Sequence, residues 1–164
     1  MAVYVSFYFE DWEQFSYGAD LSAIINRWRI NARAMKIDGF AMIDITRFLV
    51  GQYYNHADSE IDYLYTTSID ELEAAAPGLP FVFLEGKEKL DFVGITGYTS
   101  LDDFVHPEPN AVYVFGPNGP TGDLPTLRPS ATWVYIPCMP GEVLYSEEAC
   151  AMVMYDRYMK LFVT

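Results

Sequence analysis

AVYVFGPNGPTGDLPTLRPSATWVYIPCMPGEVLYSEEACAMVMYDRYMKL, residues 111 to 161, holds two short strands and a helix whose connections decide how the chain is read. Ala111 to Phe115 (AVYVF) is a β-branched and aromatic run that stops at Gly116-Pro117-Asn118-Gly119-Pro120. Thr132 to Ile136 (TWVYI) is a second such run, stopped by Pro137. Ser146 then has the chemistry of a helix N-cap, with Glu147 and Glu148 in the first turn and Arg157 and Lys160 near the end, the order the helix dipole favours. Ala149 to Tyr155 (ACAMVMY) is apolar on every face, whereas a terminal helix normally keeps one side for water. The helix is therefore expected to be covered twice, by its own sheet and by a second subunit.

The N-terminal half extends this sheet. Val3, Val5, Phe7 and Phe9 fall on one side of an alternating run and Tyr4 and Tyr8 on the other, which suits the interior of an α/β sheet. Asp20 can cap a helix running to about Lys36. Ile25, Trp28, Ala32 and Met35 recur on its buried face, and Arg29, Arg33 and Lys36 share another. Gly39 to Ile45 (GFAMIDI) reads as the next strand, so the order favours a parallel βαβ unit. Between the two halves, Gly51 to Glu60 reads as a loop. Ser68 with Glu71 forms a capping box before a short helix that ends near Pro77-Gly78. Pro80 to Leu84 (PFVFL) is a short buried strand, and Ser100 with Asp103 opens a helical turn before His106-Pro107. With no repeat or composition break, the expectation is one α/β domain over 1–164, a mostly parallel sheet flanked by helices.

Composition narrows the function classes. Half of the 164 residues are hydrophobic, which excludes a disordered chain. The formal charge is −13, from 10 basic and 23 acidic residues, and it opposes tight binding to a phosphate backbone unless a local basic patch or a partner supplies one. Arg27, Arg29, Arg33 and Lys36 gather on one helix, where they read either as a solvated face or as an RNA contact. Cys138 and Cys150 lie in apolar sequence without metal-ligand spacing, so both are expected to be buried free thiols. His56 and His106 stand apart and form no triad, and the acidic pairs Asp102-Asp103 and Glu147-Glu148 are explained by capping. With no basic leader and no apolar stretch long enough to span a membrane, the chain reads as cytoplasmic.

The segment GPNGPTG, Gly116 to Gly122, follows a strand and invites comparison with phosphate-binding loops. It has two prolines, no Gly-Lys-Ser/Thr and no helix opening on it, so neither the P-loop nor the dinucleotide fingerprint fits. What remains are two strand-end loops, Gly116 to Gly122 and Ile136 to Gly141. They are either ordinary turns or a site that holds a flat base and ribose through main-chain contacts.

A strand ending in VFGPNG, a second ending in IPCMPG and a helix reading EEACAMVMYDRYM resemble the end of the SPOUT superfamily, specifically its SpoU-type RNA 2′-O-ribose methyltransferases. ARAMKIDGFAMID, Ala32 to Asp44, and LDDFVHPEPNAVYVFG, leading into the glycine loop, are similar to the corresponding stretches of that family. The resemblance implies a C-terminal trefoil knot, S-adenosylmethionine bound in the knot loops, a homodimer through the terminal helix, and tRNA or rRNA as substrate. Matched residue by residue, it assigns cofactor contacts to Leu84, Glu85, Gly86, Gly116, Pro117, Asn118, Gly119, Ile136, Cys138, Met139 and Leu144. The departures lie at the chemistry. Asn118 stands where the family's loop has glutamate, and Val143-Leu144-Tyr145 stands where it has Ser-Leu-Asn. The family's helix arginine falls beside Arg29, one residue and about 100° from the aligned position. Arg29, Asn118 and Tyr145 are accordingly the candidate catalytic residues of an altered active site. The alternative implied is a silent homologue serving as a dimeric binding or regulatory module.

Overall fold

The structure is a computed structural model that describes residues 2–9, 21–45, 47, 61–116, 131–139, 141 and 144–163. Its centre is a seven-stranded sheet of order β3-β2-β1-β6-β4-β7-β5, in which every pairing is parallel. The strands are β1 (Val3–Phe9), β2 (Gly39–Asp44), β3 (Asp62–Thr66), β4 (Phe81–Leu84), β5 (Tyr98–Ser100), β6 (Ala111–Phe115) and β7 (Thr132–Tyr135). The described helices are α1 (Leu21–Ala34), α2 (Ile69–Ala75), α3 (Lys87–Phe92) and α4 (Ser146–Phe162). The expected α/β class and the β1-α1-β2 unit are both present.

Two cores lie on the two faces of the sheet, the arrangement that parallel sheets require. One face packs Val5, Phe7, Phe40, Leu84, Tyr113 and Phe115 against Trp28 and Ala32 of α1 and Cys150, Val153 and Met154 of α4. The other packs Ala41, Ile43, Phe83, Val112 and Trp133 against Ile69 and Leu72 of α2 and Leu90 of α3. β2 and β6 are buried along their whole length, so their uninterrupted apolar sequence is accounted for. β3 and β5 lie at the edges and alternate or are half-buried.

Capping shows where local sequence was sufficient. The Ser68 hydroxyl accepts the Glu71 amide, and the Glu71 carboxylate accepts the Thr67 amide at 2.6 Å, so the predicted box forms with its return bond one residue earlier than the cap. Ser100 and Asp103 close the expected turn, with the Asp103 amide donating to the Ser100 carbonyl at 3.1 Å. Two expectations are corrected. Met35 is exposed because α1 ends at Ala34 and Lys36 turns into the left-handed region (φ 53°), so Ile37 takes the buried place instead. Ser146 is the first helical residue of α4 and not its cap. Tyr145 holds the cap position without a side-chain bond, and the Ser146 hydroxyl donates to the Gly116 carbonyl. The loop expected at 51–60 lies outside the described residues.

α4 buries one side only within this chain. Ser146, Cys150, Val153 and Arg157 recur at helical spacing toward the sheet. Met152, Tyr155, Met159 and Phe162, also at helical spacing, stand exposed on another side.

Candidate functional site

In a parallel sheet all strands end on one edge, and ligands bind beyond it. β6, β4 and β7 are neighbours there, with Leu84 opposite both Phe115 and Val134. Glu85, Gly116 and Tyr135-Ile136 therefore leave the sheet side by side, although far apart in sequence. The Glu85 amide prolongs the ladder by donating to the Val134 carbonyl at 3.2 Å. One oxygen of the Glu85 carboxylate accepts the Gly86 amide at 2.9 Å, and the other lies 3.1 Å from Lys89 Nζ. A Cβ on Gly116 would come to 3.0 Å from Oε2 of Glu85, the movable end of that side chain.

The loops beyond the strand ends are tied to each other. The Gly141 amide, at φ 81°, donates to Glu88 Oε1 at 3.0 Å, fastening the β7–α4 connection to the first turn of α3. The Ser146 bond to Gly116 fastens the end of that connection to β6. Gly86 and Gly141 face open space where a side chain would stand, among the described residues. This leaves main chain approachable by a flat ligand.

The predicted site residues divide by what they can present. Leu84 is buried and can offer only its main chain. Glu85, Gly116 and Ile136 are half-buried at the edge itself. Gly86, Cys138, Met139, Leu144 and Tyr145 are exposed around it, Met139 by 75% and Tyr145 by 60%. The expectation that both cysteines are buried is corrected: Cys150 is buried and Cys138 exposed, because the chain leaves the sheet at Ile136-Pro137. Both are free thiols, and burial raises the Cys150 pKa well above the usual range. Pro117, Asn118 and Gly119 lie outside the described residues, as does His56. Arg29 lies on α1, its side chain likewise outside them, while Arg27, Arg33 and Lys36 are exposed.

A second polar group at the same edge was not read from the sequence. Asp44, fully buried at the end of β2, accepts the Tyr65 hydroxyl at 2.6 Å. Burial and then the bond to Asp44 push the Tyr65 phenol upward. Tyr65 sits on an edge strand, and only its pairing register discloses its proximity to Asp44.

A third group joins α4 to the segment before β6. His106 is 3% exposed, with Nδ1 2.7 Å from the Tyr113 hydroxyl and Nε2 2.8 Å from Asp156. Arg157 donates to Tyr113 at 3.0 Å and to the Pro107 carbonyl at 2.6 Å. Lys160 donates to the carbonyls of Leu101, Asp102 and Phe104 and pairs with Asp156 at 2.9 Å. Since Arg157 occupies the phenol oxygen, the Tyr113 proton points to His106 Nδ1, so Nε2 carries the ring proton toward Asp156. Burial lowers the His106 pKa, with Asp156 opposing, and burial pushes Tyr113 up to about 12. His106, Tyr113 and Arg157 are buried, while Asp156 and Lys160 are part-exposed at the rim, and together they tie α4 to the segment before β6.

No protein-family model matches the chain, and no curated protein matches it. Solved structures do. One, solved to explain 2-OH methylation of C/U34 on tRNA, is 17% identical over 99% of this chain and 98% of that one, with a TM-score of 0.65. An AdoMet-bound rRNA methyltransferase from Sinorhizobium meliloti is 15% identical over 98% of this chain and 57% of its own, with a TM-score of 0.60. The SpoU methyltransferase AviRb from Streptomyces viridochromogenes, in complex with AdoMet, is 10% identical over 100% of this chain and 61% of its own, with a TM-score of 0.58. The chain has the fold of these SpoU-type RNA methyltransferases.

Proposed function

We propose that this chain is a SpoU-like S-adenosylmethionine-binding protein that methylates a ribose hydroxyl of tRNA or rRNA through an altered active site. The observation that carries the reading is that Leu84 to Gly86, Gly116 and Ile136 to Met139 leave the ends of three adjacent strands together, in a fold shared with AdoMet-bound methyltransferases. The residues fit the cofactor. Exposed Met139 and Leu144 suit a flat base, and glycine main chain suits close approach. Pro117, Asn118 and Gly119 complete the contact set in this proposal, which takes 1–164 as one knotted, cytoplasmic domain.

Bound S-adenosylmethionine supplies a methyl group activated on a cationic sulfonium. Leu84 to Gly86, Gly116 and Ile136 to Met139 would hold it beyond the strand ends, where it would offer that methyl group to a ribose hydroxyl. Such a transfer needs chiefly alignment of oxygen, carbon and sulfur. Arg29, Asn118 and Tyr145 are the groups proposed to orient the ribose. Exposed Arg27, Arg33 and Lys36 add the local basic charge that a phosphate backbone requires. The exposed Met152, Tyr155, Met159 and Phe162 side of α4 is proposed to be covered by a second copy of the chain.

Calorimetric titration with S-adenosylmethionine tests the cofactor, and saturable binding is expected. No binding at millimolar cofactor overturns the reading. Methyl incorporation into bulk tRNA by the wild type and by Arg29→Ala then tests the chemistry. Activity that Arg29→Ala loses supports it, whereas near-zero incorporation by both proteins identifies a silent homologue.

A further inference from the structure

We infer that Glu88 is a positioning residue of the cofactor site, holding the β7–α4 connection across the end of β4 through its bond to the Gly141 amide. The inference rests on the S-adenosylmethionine reading above and adds a residue that neither the motifs nor the resemblance singled out.

Glu88 and Gly141 are 53 positions apart and belong to different connections, yet Oε1 accepts the amide proton at 3.0 Å. The connection that Glu88 holds carries Cys138, Met139, Leu144 and Tyr145, the exposed side chains around the strand ends. Its far end is fixed by Ser146 on Gly116, and its near end continues β7. Among the described residues between those fixed points, Gly141 is fastened to the first turn of α3. The φ of 81° at Gly141 is readily adopted only by glycine, so the turn that aims this amide at α3 is encoded locally. Among the described residues, nothing stands within 4 Å of a Cβ built on Gly86 or on Gly141. Releasing the fastening allows the connection to swing away from Glu85 and Gly86. The ligand must then pay for ordering it.

A different role for Glu88 is easily distinguished. An acidic residue in the first turn of α3 also complements the helix dipole. Glutamine keeps the acceptor oxygen and removes the charge, so the two roles predict opposite behaviour for Glu88→Gln. The experiment compares the full-length wild type, Glu88→Ala and Glu88→Gln by calorimetry with S-adenosylmethionine, thermal melting, and amide exchange at Gly141 without cofactor. Glu88→Ala is expected to bind roughly three- to tenfold more weakly, the size of one net hydrogen bond. Its melting temperature should be nearly unchanged and its Gly141 amide should exchange faster, with Glu88→Gln restoring both affinity and protection. Equal affinity for wild type and Glu88→Ala overturns the inference, as does a Gln variant as weak as Ala. If the wild type itself fails to bind, the cofactor reading falls and Gly141 exchange decides the fastening alone. Unchanged exchange in Glu88→Ala overturns that too.

Discussion

His106 has both ring nitrogens engaged inside the protein, and only the neutral ring satisfies every partner. If Nδ1 gained a proton, the Tyr113 hydroxyl would lose its acceptor while still receiving the bond from Arg157. The direction of the pH effect follows. The folded pKa is depressed, chiefly by burial, below the ordinary value of 6.5. The unfolded chain therefore binds the proton first as pH falls. This contribution to stability is fully present above about pH 6.5 and is lost as pH falls from there to the lower folded-state value. Denaturant unfolding at pH 7.5 and 5.5 should show the loss. In His106→Ala that part of the pH dependence should vanish, at a cost of about 1–3 kcal/mol at neutral pH for the orphaned partners. An unaltered pH profile in the variant would place the titrating group elsewhere.

At the scale of elements, β1 and β2 meet where Tyr4 faces Gly39, and the phenol ring covers the glycine. A Cβ at 39 would collide with that ring and approach the Asp62 carbonyl, so it would press on both neighbouring strands. Gly39→Ala should therefore destabilise by about 1–3 kcal/mol, measured by urea unfolding. Relief of that cost in Gly39→Ala/Tyr4→Ala would trace it to the ring. α4 carries the other element-scale expectation. Tyr155→Glu with Met159→Glu places charge on its exposed apolar side without touching Cys150, Val153 or Met154. Sedimentation should change from dimer to monomer while the melting temperature of the monomer is retained. A wild type that sediments as a monomer at all concentrations refutes the paired helix. Legibility also varied by element. β1, β2, β6 and β7 could be read because buried parallel strands are written as apolar runs. β3 was missed because DYLYT mixes exposed Asp62 and Tyr65 with half-buried Tyr63 and Leu64, and β5 because three residues carry no period. α3 begins at Lys87 after a Gly86 cap position that makes no side-chain bond, so it lacked a start signal. Ser146 carried a genuine cap signal, but a long-range bond to Gly116 claimed its hydroxyl.

At the scale of the whole molecule, the basic residues are divided between framework and surface. Lys87 and Lys89 pair with Asp91 and Glu85, and Arg157 and Lys160 are turned to carbonyls around residues 101–109. Arg27, Arg33 and Lys36 are exposed on and just beyond α1, a local basic group within an overall charge of −13. The cofactor edge was hidden in the sequence. Its three segments become neighbours only because β4 lies between β6 and β7, a placement that no local pattern encodes. That placement also sets a timetable for synthesis. As the chain leaves the ribosome, β1, β2 and β3 can already pair with one another. Phe81-Val82-Phe83-Leu84, however, must wait for Ala111–Phe115 on one side and Thr132–Tyr135 on the other. Until then it is an apolar strand with two open edges, the kind of segment that recruits chaperones or aggregates. A nascent chain stalled before Ala111 would carry this hazard in full, and β5 would be stranded with it, because its partner among the described residues is β7.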